Sequence, residues 1–131
     1  GVHGVLISRR HAVGLTAAVA KTAAGALKYV PVAQVTNIAQ LIESLKKEGI
    51  WTAAADMDGQ SVYQTDLTGP MAVVIGGEHE GVSRLVRERC DLTVSLPMKG
   101  QVTSLNASVA AGILMFEIAR QRGDFSAAAK K

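Results

Sequence analysis

The stretch Gly76-Gly77-Glu78-His79-Glu80-Gly81-Val82-Ser83 sets a glycine-rich turn between an apolar run and a helical pattern. In α/β proteins, ligands bind at turns that leave a buried strand and open a helix, and glycine lets backbone amides approach them closely. The stretch is not a dinucleotide fingerprint, because G-x-G-x-x-G is missing, and not a P-loop, because no Lys-Ser/Thr pair follows. Glu78 and Glu80 stand where a phosphate would lie and would repel it. The ligand this favours is cationic or carries no phosphate there. A tight turn with solvated carboxylates would use the same residues. His79 alone in this stretch has an ordinary pKa near neutrality, but it sits between two carboxylates. Two further stretches complete the set. Leu96-Pro97-Met98-Lys99-Gly100 reads as a strand-to-loop exit, in which Met98 would ordinarily be packing. Thr103-Ser104-Leu105-Asn106-Ala107-Ser108 opens a helix, for which Ser104 or Asn106 is a sufficient N-cap.

The whole chain must position these stretches with limited material. Its 131 residues make about one domain on a scale of roughly 100–200 residues each. Hydrophobic residues are 48% and charged residues 19%, a globular composition that excludes a disordered chain. No apolar run approaches the roughly 20 residues of a membrane span. Gly1-Val2-His3-Gly4 shows neither an initiator Met nor a signal pattern. The lone Cys90 cannot form an internal disulfide and fits a reducing, cytoplasmic compartment. One Cys and three scattered His argue against a structural metal site. The net charge of +3 permits an anionic partner, while 4% aromatics leave little for base stacking.

Short β-branched runs alternate with helical patterns. Val5-Leu6-Ile7 reads as a strand, and Thr16–Leu27 as an Ala-rich helix. Tyr29–Val35 reads as a strand whose Pro31 marks an edge or an end. Asn37–Glu48 is a helix with Ile38, Leu41, Ile42 and Leu45 at helical spacing. Asn37 with Gln40 forms a capping box, and Gly49 is the stop. Trp51–Ala55 is the next strand, followed by turn chemistry at Asp56-Met57-Asp58-Gly59. The uninterrupted apolar run Met71–Ile75 suits a central strand covered on both faces. Ser83 caps a short helix through Arg89, Leu92–Leu96 is the last strand, and a final helix runs from about Leu105 to Gln121. The expected fold is α/β, a mostly parallel sheet with helices on both faces. From Ala107 to Ala119 the only charge on the final helix is Glu117, so the helix is expected to be buried.

Taken in order, these stretches resemble the last signature motifs of the SpoU (TrmH-like) RNA ribose methyltransferases of the SPOUT superfamily. The residues are Gly76–Ser83, Ser95-Leu96-Pro97-Met98, and Ser104-Leu105-Asn106-Ala107-Ser108-Val109-Ala110-Ala111. Ala12–Thr16, Lys21–Ala26 and Ala55–Gly59 look like the branch acting on a large-subunit ribosomal RNA guanosine. The resemblance spans nearly the whole chain as a single methyltransferase domain, residues 1–131. It implies a deep C-terminal trefoil knot whose loops hold S-adenosylmethionine, with Gly76, Leu96, Met98 and Leu105 as cofactor-binding residues. It also implies catalytic-site roles for Glu78, Ser104 and Asn106, methylation of a ribose 2′-hydroxyl in RNA, and no metal. The final helix would then be buried partly in a homodimer interface, as against simply in the core. A non-catalytic RNA-binding or assembly module would keep the same fold. The family's earlier motif, with its Asn and catalytic Arg, has no match here, and Arg9 and Arg10 do not supply it. The domain is therefore expected to lack its first strand and helix and a separate RNA-binding domain, and to be nearly inactive alone.

Overall fold

The computed structural model describes residues 1–8, 28–77, 81–102 and 105–125. The expected helix Thr16–Leu27 lies outside the described residues, as do Glu78 and Ser104. The chain forms two compact units, 1–41 and 42–131, divided within a helix.

In the first unit, β1 (Val5–Ser8) pairs in parallel with β2 (Val32–Val35) in the register Val5–Val32 to Ser8–Val35. Pro31 ends up directly before β2, where its missing N–H costs no ladder bond. Its carbonyl accepts from the Val5 amide at 3.0 Å. α1 (Ile38–Lys47) follows, with Asn37 Oδ1 accepting from the Gln40 amide at 3.0 Å as half of the expected capping box. The helix ends at Gly49, whose φ of 80° is costly for any residue with a Cβ.

The second unit is built on a three-stranded parallel sheet in the order β4-β3-β5. β3 is Trp51–Ser61, β4 is Met71–Val74 and β5 is Leu92–Ser95. Within this sheet of described residues, the apolar run expected at the centre pairs with β3 alone and is half-buried throughout. The centre belongs to β3, whose small residues Thr52, Ala53 and Ala54 are fully buried and leave room for cover on both faces. The core joins Ala53, Val62, Leu67, Val94 and Leu114. Asp91 fixes the start of β5. Its Oδ2 accepts from the Thr52 amide at 2.9 Å and from the Thr52 hydroxyl at 3.1 Å. Burial pushes the neighbouring Cys90 thiol above its ordinary pKa.

α2 (Arg84–Arg89) is capped by Ser83, whose Oγ accepts from the Val86 amide at 3.3 Å. α3 (Ala107–Gln121) enters the core through Leu114. The expectation of an all-round buried helix fails within this chain. Val109, Met115 and Phe116 are exposed, and Phe116 stacks on Phe125 at a centroid distance of 5.6 Å. The one charge, Glu117, is instead buried at 5% exposure. It accepts from Arg120 Nε at 2.6 Å and from Gln121 Nε2 at 3.2 Å. The arginine bond holds its carboxyl below the usual range. Gln121 then clamps the segment before β4. It donates to the carbonyls of Val62 and Thr65, and its Oε1 accepts from the Leu67 amide at 2.7 Å. A burial pattern of this kind is not visible in hydropathy, because one polar cluster satisfies itself inside while apolar side chains stay outside.

Candidate active site

Three parallel strands leave the sheet at the same carboxyl edge, the edge where open α/β sheets bind ligands. The exit of β4 is a loop closed by its own backbone. Gly77 and Gly81 form an antiparallel bridge, and the Gly81 amide donates to the Gly77 carbonyl at 3.0 Å. Gly81 has φ of 66°. A Cβ on Gly76 would lie 2.0 Å from the Gly81 carbonyl carbon. Gly76 is therefore required by intramolecular contact, whatever ligand the loop holds.

The exit of β5 is different. Leu96 is half-buried and packs against the core, so the group it can offer a ligand is its backbone. Met98 is 37% exposed. Among the described residues, 97–102 is not tied back by any turn or loop hydrogen bond between backbone groups. Leu105, also 37% exposed, stands directly before the start of α3. Asn106 is the N-cap, one of the two residues, with Ser104, that the sequence offered for that role. Its Oδ1 accepts from the Ser108 amide at 2.9 Å, the Ser108 hydroxyl at 2.5 Å and the Val109 amide at 3.4 Å. The topology thus brings Gly76 together with Leu96 and Met98 at one edge, and sets Leu105 and Asn106 at the α3 terminus. No group of three or more His, Cys, Asp or Glu among the described residues could hold a metal ion.

One feature at this edge was not legible as a site. Ala55 and Gln60 both face Val94, so Asp56-Met57-Asp58-Gly59 leaves the ladder and returns to the same partner. The four residues expected as a turn lie instead within the span of β3 as a bulge. Arg87 Nη1 donates to Asp56 Oδ2 at 3.1 Å, and Ser95 Oγ donates to the Gly59 carbonyl at 2.9 Å. The signal in the sequence was the Asp-x-Asp-Gly run itself, but its anchors are 31 and 36 residues away. Each described arginine has an internal acceptor. Besides Arg87 and Arg120, Arg84 pairs with Glu88, Arg89 with Glu43, and Arg122 Nη2 donates to the Gly69 carbonyl.

The class defined by these features is a parallel α/β protein with a glycine-closed loop and an open loop at the same carboxyl edge. The profile of the SpoU rRNA Methylase family matches residues 1–116, and the chain belongs to that family. It is 50% identical over 123 residues to a Bacillus subtilis protein assigned to the TrmH family of tRNA/rRNA methyltransferases, covering 93% of this chain and 49% of that one. It is 48% identical over 124 residues to the 23S rRNA (guanosine-2′-O-)-methyltransferase RlmB of Shewanella oneidensis, covering 93% and 50%. Among solved structures it resembles the SpoU methyltransferase AviRb of Streptomyces viridochromogenes in complex with AdoMet. The TM-score is 0.85 at 30% identity, covering 93% of this chain and 51% of that one. The chain spans about half the length of the curated relatives it matches. No described helix is long and apolar enough to cross a membrane.

Proposed function

We propose that the protein carrying this chain transfers a methyl group from S-adenosylmethionine to a ribose 2′-hydroxyl in RNA. The observation that carries the reading is the pair of loops at the β4 and β5 exits, on the same carboxyl edge of a parallel sheet, each holding the family's motif residues. The residues present fit the cofactor. Exposed Met98 and Leu105 offer apolar surface to an adenine, and the backbone after Pro97, which makes no turn or loop bond to other backbone among the described residues, offers amides and carbonyls. When bound, S-adenosylmethionine supplies an electrophilic sulfonium methyl and brings no phosphate, so acidic residues such as Glu78 are tolerable nearby. Gly76 and the Gly77–Gly81 bridge fix one wall before any ligand arrives, which removes an ordering cost from binding. The rigid cap at Asn106, with Ser104 before it, would orient the ribose or the loop, and Glu78 would hold loop geometry. The gain from such a site is alignment of hydroxyl, methyl and sulfur on one line.

A guanosine of large-subunit ribosomal RNA is the target favoured, supported by the RlmB relative. The fold reading extends to a C-terminal trefoil knot with helices on both sheet faces, within one methyltransferase domain, and the location to the cytoplasm. The exposed Phe116, with 68% of its surface open, supports a homodimer through α3. Calorimetry on the full-length protein should detect S-adenosylmethionine, and labelled methyl should appear as 2′-O-methylguanosine in ribosomal RNA. Absence of both binding and transfer overturns the reading. Phe116→Asp should shift the protein to monomer in sedimentation, since an unpaired charge in a buried contact is costly.

A further inference from the structure

β4 and β5 are not neighbours. β3 lies between them, so their exits are two strand spacings apart, about 10 Å. Any ligand that touches both exit loops must pass over the place where β3 itself would exit. That place is the excursion Asp56–Gly59. Continuing the β3–β4 register two residues beyond its last pair, Ala54 with Val74, brings Asp56 level with Gly76. The excursion is fastened on both sides. Arg87, on the helix that follows the β4 exit loop, holds Asp56 at 3.1 Å and reaches Asp58 at 3.9 Å. Ser95, the last residue before Leu96, holds the Gly59 carbonyl at 2.9 Å. Gly59 lies so close to β5 that a Cβ there would be 2.6 Å from the Val94 carbonyl carbon. The Asp56 side chain is only 18% exposed. The excursion is thus a fixed shelf between the two loops, tied to the helix behind one and the strand before the other.

We propose that the Asp56–Gly59 shelf is the floor of the cofactor site and that Arg87 is a positioning residue that sets its height through Asp56. The inference rests on the S-adenosylmethionine reading above. Arg87 touches neither cofactor nor RNA in this arrangement; it acts through the shelf. Loss of a charge-assisted hydrogen bond of this kind should weaken cofactor binding about tenfold.

The test is calorimetry of S-adenosylmethionine with the full-length protein and its variants, alongside thermal melts and steady-state kinetics with RNA. Arg87→Met should raise the cofactor Kd and KM about tenfold with the RNA KM unchanged, and Arg87→Lys should restore Kd to within about threefold. Asp56→Asn should reproduce the effect, and it stands in if Arg87→Met does not fold. Glu43→Gln, which removes the Arg89–Glu43 pair on the other side of α2, is the control for simple loss of stability. A cofactor Kd for both Arg87→Met and Asp56→Asn within twofold of the parent, or a loss equalled by Glu43→Gln at the same Tm, overturns the inference. If the unsubstituted protein binds no S-adenosylmethionine, the proposed function fails and takes this inference with it. If the parent and both shelf variants bind equally, the inference alone fails.

Discussion

The exits of β4 and β5 are built on opposite principles. The β4 exit closes backbone on backbone, with a glycine bridge and no room for a Cβ at Gly76. The β5 exit runs open, with Met98 exposed and the backbone of 97–102 free of turn and loop bonds among the described residues. The first loop is held by its own backbone bridge; among the described residues the second has no comparable backbone closure. Side chains should therefore matter for stability at the first exit and for binding at the second.

The largest effect should come from Gly76→Val. Its Cβ would meet the Gly81 backbone, which cannot move without opening the bridge. We expect loss of about 4 kcal/mol or more, read as failure to fold or a collapsed Tm, with or without ligand. A stable Gly76→Val protein that merely bound cofactor poorly would break the comparison. Next in size is the polar clamp of α3. The Glu117 carboxyl lies below its ordinary pKa because Arg120 bonds it. Its contribution is therefore present above the unfolded value, roughly 4.3, and lost as pH falls through the lowered folded value. Glu117→Gln should lower Tm at pH 7 by roughly 4–8 °C, and the gap to the parent should be smaller at the lowest pH the fold tolerates. An equal gap at both values would mean that the ion pair does not set it. The smallest stability effect belongs to Met98→Ala, within about 0.5 kcal/mol because the side chain is exposed. If the open exit is the ligand's, the same variant should still raise the cofactor Kd severalfold.

What the sequence disclosed follows from what is local. Helical spacing gave α1 to within a residue at each end, Ser83 announced α2, and Asn106 announced α3. The parallel arrangement followed from alternation of strands and helices. The candidate residues at the strand exits came from motif order, and the topology sets Gly76 and Leu96 at one edge. What failed depended on distant partners. The Asp-Met-Asp-Gly run looks like any turn until Arg87 and Ser95 are seen to hold it inside a ladder. Met71–Ile75 is more apolar than β3, yet within the described three-stranded sheet it is β3, with its small residues, that lies between two strands. Glu117 reads only as the lone charge of a buried helix; its partner Gln121 is in turn held by the carbonyls of Val62 and Thr65, 59 and 56 residues back in the chain.

The internally committed arginines have a consequence for how an RNA would be held. Affinity for a polyanion grows by release of condensed counterions, about 0.7 in log–log salt slope for each phosphate neutralised on a single strand. Arg84, Arg87, Arg89 and Arg120 each stand beside a carboxylate, so a phosphate approaching them meets a neutral pair rather than a free cation. These residues should add little to that slope. RNA affinity measured from low to high salt should stay nearly parallel to the parent when Arg84 and Glu88 are both replaced by Gln. It should steepen when Glu88 alone is replaced, because that single change frees a cation for the backbone.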